Sequence, residues 1–73
     1  EGGVLVSSVE AGSPAHRRGL RPGDVILEID RQPVQSRQDL LAMLQQARPD
    51  TDVLLLVQRG KTTRFIVIPA AKG

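Results

Sequence analysis

At 73 residues the chain is one small domain or a piece of a larger protein, and so short a chain buries only about 60% of its unfolded surface. With no cysteine and a single aromatic residue, Phe65, it has neither disulfides nor a thiolate metal site to supplement an aliphatic core of Val, Ile, Leu and Ala. Ten basic residues against eight acidic give a formal charge of +2 with the signs interspersed; that balance, and the lack of Tyr and Trp, argues against a nucleic-acid-binding surface.

No apolar run approaches the ~20 residues of a membrane-spanning helix. The longest, Val53 to Val57, is strand-sized. The sequence opens on Glu1-Gly2-Gly3 with no basic-then-apolar secretory signal. Lacking an initial methionine, it reads as a piece of a longer protein, so the missing signal is silent on location.

In chain order, Val4-Leu5-Val6-Ser7-Ser8-Val9 is β-branched and bounded by glycine, and reads as a strand. Ser13-Pro14 reads as a helix start, a hydroxyl N-cap followed by proline at the first helical position. Gly19 stops that helix after little more than one turn. Ala15 is its expected contact, and Leu20 follows as a plug. Arg21-Pro22-Gly23-Asp24 is a tight turn, with Pro22 presetting φ and Gly23 supplying positive φ. Val25-Ile26-Leu27-Glu28-Ile29 leaves it as a short, mostly buried strand.

Arg31-Gln32-Pro33 reads as a turn and Val34 as a lone inward residue. Ser36, with Asp39 three residues on, opens the clearest helix. Leu40, Leu41, Met43, Leu44 and Ala47 follow at helical spacing, and Arg48-Pro49 closes it. Arg37, Leu41, Leu44 and Arg48 share one stripe of this helix; Leu40, Met43 and Ala47 share another. Val53 to Val57 is apolar on both faces and so a candidate central strand. Arg59-Gly60-Lys61 is a hairpin turn into a last strand, Thr63 to Ile68, with Thr63, Phe65 and Val67 on one face. Pro69 ends it and Ala70–Gly73 is a tail. The expected order is β, small α, β, α, β, β, a small α+β domain without internal repeats.

Chemistry finds little purchase. His16 is the only histidine; Ser13 lies three residues before it on one small surface helix, with no third partner implied. Asp24, Glu28, Asp30, Asp50 and Asp52 lack the loop spacing of a calcium hand. Gly2-Gly3 precedes a strand instead of opening a helix, so no phosphate cradle forms. The expectation is that the chain itself is not an enzyme and takes no metal or cofactor.

The run from Ala11 to Asp30, preceded by Gly3-Val4-Leu5-Val6 and followed by Pro33-Val34 and the amphipathic helix, resembles a PDZ domain of the bacterial Deg/HtrA serine protease type. The likeness covers nearly the whole chain. It implies a small, strongly curved antiparallel sheet, a partly open barrel, capped by one longer and one short helix. It implies a binding module that captures C-termini or unfolded segments of substrate proteins by strand addition, regulating proteolysis or assembly. Arg37 then takes the first groove-facing helix position, and Leu41 and Leu44 line the pocket for the peptide's last side chain, with Leu40 facing the core.

The resemblance further implies a catalytic domain elsewhere in the parent protein and a periplasmic or cell-envelope location. The same pattern occurs in site-two-type and C-terminal-processing proteases and in secretion-system proteins, and a purely structural assembly module is the alternative. The family holds the peptide carboxylate in a Gly-Leu-Gly-Phe-like loop. Gly2-Gly3-Val4-Leu5 is similar to it only superficially, because Val6-Ser7-Ser8-Val9 continues as the family's next strand. On this reading residues 1–73 form a single PDZ-like domain without that loop and its strand. Weak peptide binding and self-association through the open edge of the first strand are then expected.

Overall fold

The computed structural model describes residues 2–46, 48 and 50–70. Its elements are β1 (Val4–Leu5), α1 (Pro14–Arg17), β2 (Val25–Ile29), β3 (Gln32–Pro33), α2 (Arg37–Gln46), β4 (Val53–Arg59) and β5 (Thr62–Ile68). The strands form one antiparallel sheet in the order β1-β2-β4-β5, with β3 paired to β2. The sheet does not close. β4 is central, as its two apolar faces predict.

The short helix forms for the reasons visible in its letters. Ser13 Oγ accepts the His16 N–H at 3.2 Å, and Pro14 occupies the first helical position. At the other end Gly19, with φ +103°, donates to the His16 carbonyl, and Leu20 donates to the Ala15 carbonyl at 3.0 Å. That pair of bonds is a Schellman stop. It delivers Leu20 into the core, where it is buried beside Ala15. The next turn closes through Asp24 N–H to the Arg21 carbonyl, with Gly23 at φ +96°.

Two local readings are corrected. The first strand extends over Val4–Leu5 only, not to Val9. Val6 still donates to the Asp24 carbonyl and accepts from Gly23 N–H, both at 2.8 Å, but β2 begins at Val25 and offers no ladder beyond this point. The second turn is Asp30-Arg31, not Arg31-Gln32-Pro33. Both residues have positive φ, 50° and 68°, the pattern of a type I′ hairpin, and Gln32-Pro33 is extended as β3. Asp30 tolerates this conformation and is anchored there: its N–H donates to the Leu54 carbonyl, and its carboxylate accepts from Leu54 N–H.

The core is Leu20, Ile26, Ile29, Val34, Leu55, Val57 and Ile66, wholly aliphatic, with Leu40 and Met43 of α2 packed against it. Thr63, Phe65 and Val67 do share a face, and it is the outer one. Ala47, Pro49 and residues 71–73, assigned above to the helix end and the tail, lie outside the described residues.

Candidate functional site

Ser36 starts α2 by accepting the Asp39 N–H at 3.1 Å, while the Asp39 carboxylate accepts from Gln35 N–H at 3.2 Å. The cap starts the helix, and its two stripes meet different surroundings. Leu40 and Met43 turn to the core; Leu41 and Leu44 are 47% and 43% exposed. So large an exposure of two leucines on one stripe is what a binding wall needs and a pure core helix does not.

Between α2 and β1 lies an open groove of about 380 Å³. Arg37 and Leu41 form its helix side, Val4 to Ser8 its strand side, and Leu20, Ile26 and Leu40 its floor. Leu44 does not line this groove. It borders an adjoining cavity of about 220 Å³ with Ala15, Leu20, Ile26, Leu40, Val53, Leu55 and Ile68, every one apolar. Leu20, Ile26 and Leu40 border both spaces, so the groove runs on into the apolar cavity. Of the three residues expected from sequence, Arg37 and Leu41 are brought together and Leu44 sits one turn on, over the apolar extension.

The first strand, expected from sequence to have an open edge for self-association, was not read there as a wall of the groove. β1 is the end of the sheet. Val4 pairs with Ile26 and Val6 bonds Asp24, so the intervening Leu5 points its main-chain N–H and C=O away from β2. An extended chain laid along that edge meets a free donor and acceptor, and alternate side chains of such a chain fall toward the apolar floor. Gly3 N–H is not available to a ligand: it donates to the Val34 carbonyl at 2.7 Å. With Val4 turned to β2, Gly2-Gly3-Val4-Leu5 presents no run of consecutive free N–H groups. Gly3 must be glycine for a packing reason, since a Cβ there, at φ +109°, falls 2.7 Å from Val25 Cγ1.

The site residues carry no acid–base machinery. Ser13 Oγ is occupied as a helix cap, and His16 Nδ1 faces the Gly12 N–H at 3.4 Å. Among the described residues, no three His, Asp or Glu side chains converge in a way that could hold a metal ion.

Residues 5–59 match the family model of the PDZ domain. A probable periplasmic serine endoprotease, DegP-like, of Chlamydia muridarum is 46% identical over 66 residues, covering 90% of this chain and 13% of that protein. The mitochondrial serine protease HTRA2 of Bos taurus is 44% identical over 66 residues, covering 90% of this chain and 14% of that protein. The chain thus spans about one seventh of the length of these relatives. Among solved structures, the HtrA3 PDZ domain bound to a phage-derived ligand (FGRWV) superposes with a TM-score of 0.84 at 26% identity, over 93% of this chain and 59% of that one. An HtrA-type protease with a decapeptide gives the same TM-score at 31% identity, over 92% of this chain and 20% of that one.

Proposed function

The chain belongs to the PDZ domain family, whose members are binding modules, and we propose that its groove captures C-termini or unfolded segments for a Deg/HtrA-like serine protease. The observation that carries this reading is the open groove itself, with an unpaired strand edge on one side and Arg37 and Leu41 on the other. In these 73 residues the incoming chain adds as a strand along Leu5, the edge left open where the carboxylate loop's own strand is expected. Its last side chain enters the apolar space under Leu41 and Leu44, and Arg37 stands at the groove mouth. The two peptide-bearing structural relatives support the same use.

In this reading the catalytic serine, histidine and aspartate belong to another part of the parent protein, and binding here regulates proteolysis or assembly. The DegP-like relatives support a periplasmic or cell-envelope setting, although the HTRA2 relatives are mitochondrial. Since Gly2–Leu5 offers no carboxylate-holding run of N–H groups, the peptide carboxylate is held by residues outside this sequence. Binding by the 73 residues is then weaker than by a longer chain that carries such a loop.

The test is a two-dimensional NMR titration with a mixed C-terminal peptide library. Shifts are expected at Leu5, Arg37, Leu41 and Leu44. Leu41→Asp, a charge placed in the apolar wall, should weaken binding by more than roughly tenfold without unfolding the chain, because Leu41 is exposed. Equal affinity in the variant would overturn the groove assignment. It would favour the second reading, a structural assembly module that binds no peptide.

A further inference from the structure

The other end of the sheet is also open. β5 is a terminal strand, seven residues long, with no proline or glycine inside it and only one charge, Arg64. β5 joins β4 through the two-residue loop Gly60-Lys61, and Arg59 pairs with Thr62 across it. In such a hairpin the flanking pair exchanges both hydrogen bonds, and bonded pairs then recur at every second residue. The main chains of Thr62, Arg64, Ile66 and Ile68 therefore face β4. Those of Thr63, Phe65 and Val67 face outward, three donors and three acceptors without a strand partner among the described residues.

We propose that a second copy of this chain pairs with β5, antiparallel and centred on Phe65. The register follows from the free groups. With Phe65 opposite Phe65 of the second copy, Thr63 falls opposite Val67 and Val67 opposite Thr63. Every outward N–H then meets an outward C=O, giving six hydrogen bonds. A register shifted by two residues toward the C-terminus places Thr63 opposite Pro69, which lies beyond the strand and has no N–H to donate, so the Thr63 carbonyl of each copy is left unpaired.

The side chains agree with the backbone. Phe65 and Val67 are 62% and 41% exposed and lie on the outer face, paired across the sheet with Leu56 and Leu54. The two-fold pairing continues this apolar strip from one copy into the next, with the two Phe65 rings side by side at its middle. Arg64 points to the opposite face, and its nearest like charge, Arg64 of the second copy, sits on a cross-strand diagonal about 7–8 Å away. A strand edge covers less than the roughly 1,200 Å² of a stable interface, so the dimer is transient, with a dissociation constant on the order of 1 mM or somewhat below.

This pairing uses the opposite end of the sheet from β1, and Thr63, Phe65 and Val67 line neither the groove nor its apolar extension. It is tested by sedimentation velocity and amide hydrogen exchange of the chain from about 10 µM to about 1 mM. The expected result is a mass rising toward the dimer. Exchange slows with concentration at Thr63, Phe65 and Val67 while Leu5 is unchanged. Phe65→Lys, which sets two ammonium groups face to face, and Val67→Pro, which deletes an outward donor but no β4 bond, each weaken association at least tenfold. Phe65 is exposed, so the lysine variant keeps its fold. A monomer at all concentrations, protection appearing at Leu5 instead, or undiminished association of Phe65→Lys would each overturn the proposal.

Discussion

Asp24 is the one buried charged residue among those described, at 1% exposure, and it organises one end of the molecule. Arg59 Nε donates to one carboxylate oxygen at 2.7 Å and Arg59 Nη2 to the other at 2.8 Å, while Arg21 N–H closes the turn onto the same group. Arg59 Nη2 also reaches the Gly19 carbonyl at 2.7 Å. One ion pair thus ties the stop of α1, the Pro-Gly turn and the end of β4 together. The hydrogen bonds from Arg59 hold the Asp24 carboxyl below its usual value against the opposing effect of burial. Because the folded-state pKa is depressed, this stabilisation is complete above the ordinary value of 3.8 and is lost as pH falls below it. Asp24→Asn should lower the Tm at neutral pH by about 5–10 °C. It should also flatten the loss of Tm as pH falls below the ordinary carboxylate value of 3.8. Parallel acid profiles of variant and wild type would assign acid unfolding to other carboxylates.

Among the elements, α2 is the one on which both packing and binding depend. Its N-terminal cap was legible, since a serine with an acidic residue three positions on satisfies orphan N–H groups whatever the tertiary surroundings. Ser36→Ala should cost about 1 kcal/mol, read as a lower denaturant midpoint with an unchanged slope. An unaltered midpoint would mean that packing of Leu40 and Met43 alone holds the helix start. The separation of Leu40 from Leu41 and Leu44 was legible too, from helical periodicity. β1 was read too long because strand letters give propensity, whereas strand extent requires a partner, and β2 ends the ladder. The Asp30-Arg31 turn was missed because its usual cue, a glycine at positive φ, is absent; the bonds to Leu54 hold the conformation instead.

For the molecule as a whole, stability rests on its aliphatic core, seven buried side chains among the described residues. Ile29, at 2% exposure, is among the largest that are fully enclosed. Ile29→Ala should cost about 2–5 kcal/mol, a large share of the 5–15 kcal/mol typical of a domain. A Tm drop of more than about 10 °C by calorimetry is expected. A drop of only a few degrees would mean that the open sheet collapses to fill the void.

The residues alone determined the caps, the glycine stops, the central strand and the aliphatic core. Each of these depends on covalent geometry, local hydrogen bonding or hydrophobic period, all of which are written in short stretches of letters. They also carried the resemblance to PDZ domains and the choice of Arg37, Leu41 and Leu44. Only the tertiary structure decided that Leu44 lies over an apolar extension and not in the groove beside Arg37, and that Val4–Ser8 form the facing wall. It alone revealed that Asp24 and Arg59, 35 positions apart, close one end of the fold. Which main-chain groups of β1 and β5 stay unpaired was likewise a tertiary matter. These are properties of residues distant in sequence, and no local period encodes which strand lies beside which, or where a sheet runs out of partners.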